Sequence, residues 1–315
     1  MSALITVIMP VFLVIGYGYA ARLTGLMRDD AIESVMRFAQ NFAVPVLLFR
    51  SIAQMDLGAA YDAGLLTAFY TGAFAAFIFA AAIARGVFHR PGPDCVAIGF
   101  AALFSNSLLL GIPITQRAYG TEALAGNYSI ISIHSPLLYT FGITVMEFTR
   151  SRGDGARPLT IAGRALIGVL KTPLVIGILT GFAANLGMRA SGHDLPEPVW
   201  AAVTMVAGAA LPAALFGLGG VLYRYRPEGD LKLVAVVTFA SLILHPAIAY
   251  ALTRAFGTDV AGMRSAVLTA AMAPGVNAYL FANMYGAARR VAASAVLVAT
   301  ATSILTIWFW LALLP

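Results

Sequence analysis

Long apolar runs separated by brief polar punctuation make up almost the whole chain. Ten stretches are predominantly apolar, near residues 3–23, 31–53, 62–86, 95–118, 122–148, 164–187, 198–221, 231–254, 261–285 and 290–313. Each reaches the roughly 20 residues a helix needs to cross a bilayer. Only the connectors 149–163 and 188–197 have any length, and neither can hold a folded domain. The pattern predicts an all-α integral membrane protein with ten transmembrane helices. Carboxylates stand where helices should begin. Asp29 or Asp30 with Glu33 has capping-box spacing, Asp94 precedes the fourth span, Glu122 opens the fifth, Asp230 opens the eighth and Asp259 precedes the ninth. Capping and favourable dipole interaction account for carboxylates at such places.

Composition narrows the class. Of 315 residues, 60% are hydrophobic and 11% charged, and the mean hydropathy is +0.85. A soluble monomer of this length cannot bury so much apolar side chain, and a disordered chain would be polar and charged. Cys95 is the sole cysteine, so neither an intrachain disulfide nor a cysteine-based metal site can form. The net charge of +6 sits in short loops, where it sets topology rather than forming a nucleic-acid surface. With the N-terminus outside, fifteen of the twenty lysines and arginines fall on the cytoplasmic side. The expectation is a multi-pass protein of the inner cell membrane with both termini extracytoplasmic. The first apolar run does not read as a signal peptide, because no basic residue precedes it and because it recurs within the chain.

That recurrence divides the chain. PVFLVIGYGYAARL from Pro10 matches PLVIGILTGFAANL from Pro173, with Gly18 on Gly181; VPVLLF at 44–49 matches LPAALF at 211–216; AYG at 118–120 matches MYG at 284–286. The offsets are 163, 167 and 166 residues. The organisation is a first five-helix repeat over 1–148, a cytoplasmic loop at 149–163 and a second repeat over 164–315. An odd number of spans per repeat makes the second copy inverted, a design associated with secondary transporters. Such carriers place their sites at interrupted helices. Span four carries SNSLLLGIP from Ser105 to Pro113, and span nine carries AMAPGVNAY from Ala271 to Tyr279. Pro113 and Pro274 each lack an N–H, and Gly111 and Gly275 permit unusual dihedrals. Interrupted helices expose N–H groups that attract anions, and such backbone survives at membrane depth only in a cavity or buried in protein. Asn106 and Asn277 add amide donors, with Ser105, Ser107 and Gly275 beside them as further substrate-binding candidates. The alternative is that the prolines only kink the helices and the asparagines bond neighbouring helices.

At these residues the chain resembles the auxin efflux carrier family, within the bile acid/auxin carrier superfamily. The resemblance covers the whole chain. It rests on PVFLVIGYGYAARLTGLM from Pro10, RFAQNFAVPVLLFRSIA at 37–53, FSNSLLLGIP at 104–113, KTPLVIGILTGFAANLG at 171–187 and APGVNAYLFANMYG at 273–286. It implies two inverted five-helix repeats whose spans four and nine are broken and cross, with the substrate carboxylate beside the breaks. It implies a scaffold from spans 1, 2, 6 and 7, a transport domain from spans 3–5 and 8–10, and a homodimer. Carried over by motif, Asn106 and Asn277 become carboxylate contacts, Gly111, Pro113 and Pro274 crossover residues, and Gln40 and Asn41 on span two further site candidates. The implied substrates are small organic anions: an auxin-like acid, or a dicarboxylate such as malonate or malate. The long loop of plant members between spans five and six is absent, since 149–163 is only 15 residues.

Coupling is open at this level. All 14 acidic residues fall in loops or near span ends, Glu147 being the nearest to an exception, and an intramembrane carboxylate is the usual mark of an ion or proton site. His134 and His245 lie inside predicted spans and either titrate or pack as neutral side chains; His134 is also a substrate-donor candidate, and Tyr279 reads either way. The simplest reading is potential-aided efflux of an organic anion by an elevator-type alternating-access mechanism, favoured by about 2.3 kcal/mol per charge per 100 mV. Proton- or sodium-coupled organic acid uptake is the alternative, and a membrane sensor for an organic acid is the alternative of another class. An enzyme is not expected: the chain lacks G-x-S, which serine hydrolysis of the elbow type needs, and lacks clustered metal ligands at membrane depth. No cofactor, metal or nucleic acid is expected; the partners are the substrate, the bilayer and a second copy. Trp200, Trp308 and Trp310 read as interface anchors.

Overall fold

The computed structural model describes residues 4–150 and 158–315, so the middle of the expected loop 149–163 lies outside the described residues. The described residues form helices and no strand. Seven helices are long and apolar enough to cross a membrane: α1 (Leu4–Leu23), α4 (Ala63–Gly86), α7 (Thr121–Arg150), α9 (Pro173–Ser191), α10 (Glu197–Leu222), α11 (Leu231–Ala255) and α14 (Arg289–Leu313). The other expected spans have a different form. Residues 29–53 form α2 (Asp29–Phe38), a π-helical turn (Ala39–Ala43) and α3 (Val44–Ala53), with charges near both ends. Span four is α5 (Gly92–Leu103), an irregular stretch, a π-helical turn (Ser107–Gly111) and α6 (Ile112–Tyr119). Span nine is α12 (Val260–Ala270) and α13 (Val276–Tyr285). The run expected as one helix over 164–187 is two, α8 (Pro158–Leu170) and α9, parted at Lys171–Thr172. Pro173 explains the seam, because the residue before a proline resists helical dihedrals while proline suits a first turn.

Carboxylates cap three helices. Asp62 accepts from Leu65 N–H at 2.6 Å, Asp230 from Lys232 N–H at 3.1 Å and Asp259 from Gly262 N–H at 2.8 Å. The expected capping box at Asp29–Glu33 does not form; Arg28 holds the cap position without a side-chain bond. Asp94 caps nothing either, and accepts instead from Ala288 N–H at 3.0 Å.

The chain divides into two compact units, a larger one of Met1–Val11, Tyr61–Ala165 and Tyr225–Pro315, and a smaller one of Phe12–Ala60 and Leu166–Arg224. In the smaller unit glycines let helix backbones touch, the usual means of packing where lipid removes a hydrophobic drive. Gly18 of α1 lies against the Phe216 carbonyl of α10, Gly177 of α9 against Pro45 of α3, and Gly181 of α9 against the Phe49 carbonyl of α3. The buried Asn185 amide of α9 donates to the carbonyls of Ile52, Ala53 and Met55 at 3.0, 2.9 and 2.8 Å, which satisfies the open C-terminal end of α3. On the polar rim Arg22 and Arg224 both hold Asp29, at 2.7 and 3.0 Å, and Arg224 holds Glu33 at 2.7 Å. The Arg22 guanidinium bonded to Asp29, helped by Arg224, lowers that carboxyl from 3.8 to about 2.

The larger unit is packed on aromatic rings. Phe100 and Phe281 stack at 3.9 Å between centroids. Trp310 corrects one expectation: it is buried, with its indole N–H donated to Leu242 O at 2.9 Å, whereas Trp308 stays 39% exposed. His245 donates from Nε2 to Phe69 O at 3.0 Å. That assignment follows because a carbonyl can only accept, and it makes His245 a packing residue bonded to α4.

Candidate functional site

The two interrupted segments of the larger unit meet each other. Helix α5 ends because Phe104 leaves helical dihedrals (φ −90, ψ 81). Helix α12 ends at Ala271, and α13 restarts after Gly275, which is extended (φ −75, ψ 167). Between the breaks, Ser105 and Pro274 form an antiparallel bridge. Asn106 N–H donates to Ala273 O at 2.8 Å, and Gly275 N–H donates to Phe104 O at 3.1 Å. Each break thereby satisfies backbone groups that the other frees, which makes irregular backbone tolerable at this depth. Pro274 suits the bridge because its missing N–H is not called on.

The side chains at the bridge divide by what they have already spent. Ser105 and Ser107 are buried, and their hydroxyls lie 2.9 Å apart in a mutual hydrogen bond. Asn106 is 7% exposed; its Oδ1 accepts from Leu109 N–H at 3.3 Å and so caps the following π-helical turn. A backbone N–H can only donate, which fixes the oxygen on that side and turns the NH2 group the other way. Among the described residues that NH2 group donates to no acceptor. Asn277, the second residue of α13, is half-buried, and among the described residues its amide is in no side-chain hydrogen bond. Gly275 packs against Asn106, since a Cβ there would lie 3.6 Å from Asn106 Cα. The first turn of α13 adds N–H groups without helical partners. The arrangement presents donors and no carboxylate, the chemistry of an anion site.

The other expected residues fall in different places. Gly111 and Pro113 are not at the bridge. Gly111 is helical (φ −62, ψ −50) and Pro113 sits in the first turn of α6, where proline is at home. Neither Gly111 nor Gly275 has a positive φ, so the conformational reason expected for them is not the operative one. His134 of α7 is 4% exposed and stands edge-on to Phe104 at 4.6 Å between centroids. Its buried ring nitrogens make no well-aligned hydrogen bond among the described residues, but the ring lies within reach of the Ser105 backbone at the break. Tyr279 is turned to Tyr225, 4.9 Å between centroids. Gln40 and Asn41 are exposed in the π-helical turn Ala39–Ala43 of the smaller unit. One polar cluster was not anticipated. Asn127 of α7 donates to Thr115 of α6 at 3.1 Å and to Thr269 of α12 at 2.8 Å, all three fully buried. Its members are scattered over 154 positions of sequence, from Thr115 to Thr269, and a lone threonine in an apolar run carries no signal of its own.

Comparison with known proteins identifies a family of transporters. The family model described as "Membrane transport protein" matches residues 3–311. A protein of Rhizobium meliloti (strain 1021) named "Putative malonate transporter" is 24% identical over 98% of this chain and 94% of its own length. "Auxin efflux carrier component 8" of Arabidopsis thaliana is 21% identical over 88% of each chain. An "Uncharacterized transporter" of Methanothermobacter thermautotrophicus is 26% identical over 84% of this chain and 86% of its own.

Proposed function

We propose that this chain, which belongs to the membrane transport protein family that includes the auxin efflux carriers, carries a small organic carboxylate across the inner membrane, bound at the paired helix breaks. Membership makes it a multi-pass membrane transporter, and the family is one of carriers rather than enzymes. The observation that carries the substrate class is the NH2 group of Asn106, left as a donor by the bond from Leu109 to Oδ1, in a break that pairs with the break preceding Asn277. The relative named "Putative malonate transporter", matched over 94% of its length, favours a dicarboxylate over an indole acid.

The larger unit is the moving transport domain and the smaller unit the static, dimer-forming scaffold, in an elevator-type cycle over ten spans. Both breaks lying in one compact unit supports this division. A contact made twice supports the inverted repeat: Gly18 meets the Phe216 backbone, and Gly181 meets the Phe49 backbone. The repeat aligns Gly18 with Gly181 and Phe49 with Phe216, so the two halves exchange roles. Movement is efflux aided by the membrane potential; proton- or sodium-coupled uptake is the second reading, its proton form resting on the ionisable ring of His134 beside Phe104 of the first break.

Supported-membrane currents from proteoliposomes test the proposal with a panel of monocarboxylates, dicarboxylates and indole acids, with and without sodium and a pH gradient. A current for a dicarboxylate, lost in Asn106→Ala/Asn277→Ala, is the expected result. A current unchanged in that variant, or one carried only by cations, refutes it. A pH dependence that disappears in His134→Gln selects the proton-coupled reading.

A further inference from the structure

A second feature of the larger unit has nothing to do with the helix breaks. An open groove of about 550 Å³ runs between α11 and α14. Pro227 and Leu231 line one end, and Ala235, Leu242, Val298 and Thr306 carry it inward. Its wall is apolar, and the threonines on the α14 side turn their hydroxyls to their own helix, Thr302 to Val298 O at 2.8 Å and Thr306 to Ser303 O at 3.5 Å. At 1.5 Å per residue the stretch from Leu231 to Leu242 rises about 17 Å, close to half of a ~30 Å hydrocarbon core. The groove is therefore about one leaflet deep.

Its outer end is cationic. The Ser294 hydroxyl lies 2.8 Å from the carbonyls of Arg226 and Glu228 and accepts from Glu228 N–H at 2.9 Å. That pins the loop before α11 to the start of α14 and brings Arg226 and Lys232 to the same end as Arg289 and Arg290. All four are exposed, and none enters an ion pair among the described residues. Of the loop's two carboxylates, Asp230 is held by Arg90 at 3.4 Å, which leaves Glu228, with Asp94 bonded to Ala288 N–H beside Arg289, against four cations. A one-leaflet apolar slot under a basic rim is the shape of a membrane lipid with a negative headgroup.

We propose that this groove is a binding site for an anionic glycerophospholipid of the adjacent leaflet, its acyl chain along α11 and α14 and its phosphate among Arg226, Lys232, Arg289 and Arg290. The site is independent of the transported solute. Trp310 reports on it, because its indole is bonded to the carbonyl of Leu242, a groove residue. The test uses the full chain with Trp200→Phe and Trp308→Phe, in detergent, titrated with brominated phosphatidylglycerol or brominated phosphatidylcholine while Trp310 fluorescence is read. The anionic phosphatidylglycerol should quench at a mole fraction at least about threefold lower than phosphatidylcholine, since each basic residue near an anionic lipid surface adds attraction. Arg226→Gln/Lys232→Gln/Arg290→Gln, all on exposed side chains, should abolish that preference, and Ala235→Phe should weaken quenching by both lipids. Equal quenching by the two lipids, a preference that survives the charge substitutions, or quenching by neither lipid with the groove covered by a second copy each overturns the proposal. No transported acid is present, so none of these outcomes bears on the transport reading.

Discussion

Asn106 separates the two roles an asparagine can have at a helix break. Asn106→Asp keeps an oxygen that accepts from Leu109 N–H and so keeps the cap, but replaces the free NH2 donor with a charge that repels an anion. The expected result is a folded protein, unchanged in its size-exclusion profile, whose dicarboxylate current falls at least about tenfold, the equivalent of one charge-assisted hydrogen bond of roughly 1.5–3 kcal/mol. A current near the unsubstituted level would mean that the amide is structural. Asn127 is the contrasting case. Asn127→Leu leaves the hydroxyls of Thr115 and Thr269 without this partner in a fully buried place, and should lower stability by about 1–3 kcal/mol, read as an earlier thermal unfolding midpoint. At this scale the sequence supplied residue types and little else. Two asparagines in matched, proline-containing spans could be singled out, because polar amides in apolar runs are conspicuous. Which amide atom is spent could not be, because that depends on Leu109. The surroundings of His134 depend likewise on Phe69 of α4 and Phe104, neither near it in sequence.

At the scale of elements, helix lengths were readable and interruptions only partly so. The runs expected at 62–86, 198–221, 231–254 and 290–313 end within a residue or two of α4, α10, α11 and α14, because apolar length is what a bilayer selects. Prolines mark helix starts as well as breaks, and that ambiguity misplaced the first break. Pro113 opens α6, while the actual interruption at Phe104–Asn106 carries no proline and is held by bonds to Ala273 and Gly275. The packing of α1 and α9 is likewise a matter of single atoms. A side chain at Gly18 or Gly181 would run into the carbonyl of Phe216 or Phe49, so Gly18→Val and Gly181→Val should each destabilise by about 1–3 kcal/mol as overpacked positions. Similar losses at both, measured by thermal unfolding in detergent, are what two equivalent contacts require. The start of α2 carries a pH dependence. Asp29 has its carboxyl lowered from 3.8 to about 2, first by its bond to Arg22. A depressed value in the folded state contributes stability above the ordinary carboxylate range and loses it as the pH falls toward the folded value. The unfolding midpoint should therefore drop between about pH 4 and pH 2, with a smaller drop in Asp29→Asn and in high salt, since the pair is exposed and screened. Equal profiles for the two proteins would show that the pair contributes nothing.

For the molecule as a whole, the open question is which helices cross, and parity answers it. If only the seven long apolar helices crossed, an odd number, residues 2 and 314 would face opposite sides of the membrane. If 29–53, 92–119 and 260–285 also cross, the count is even and both ends share a side. On the ten-span reading fifteen of the twenty basic residues would fall on the face away from both ends, the bias expected of a cytoplasmic face. The bridge between the breaks favours it too, because 92–119 and 260–285 answer each other's freed backbone groups, which matters only where water does not. Cys95 is the sole cysteine and is buried, so Cys95→Ser gives a clean background for Ser2→Cys and for Pro315→Cys at the exposed last position. Both should react with a membrane-impermeant maleimide added to intact cells, and a cysteine at Arg226 should react only after the membrane is opened. Labelling of one end alone would restore the seven-helix count and remove the inverted repeat with it, because two halves of five crossings cannot sum to an odd number. Labelling of both ends, with Arg226 protected, would leave the two halves in opposite orientations. The paired contacts of Gly18 and Gly181 would then be the trace of one packing solution used twice.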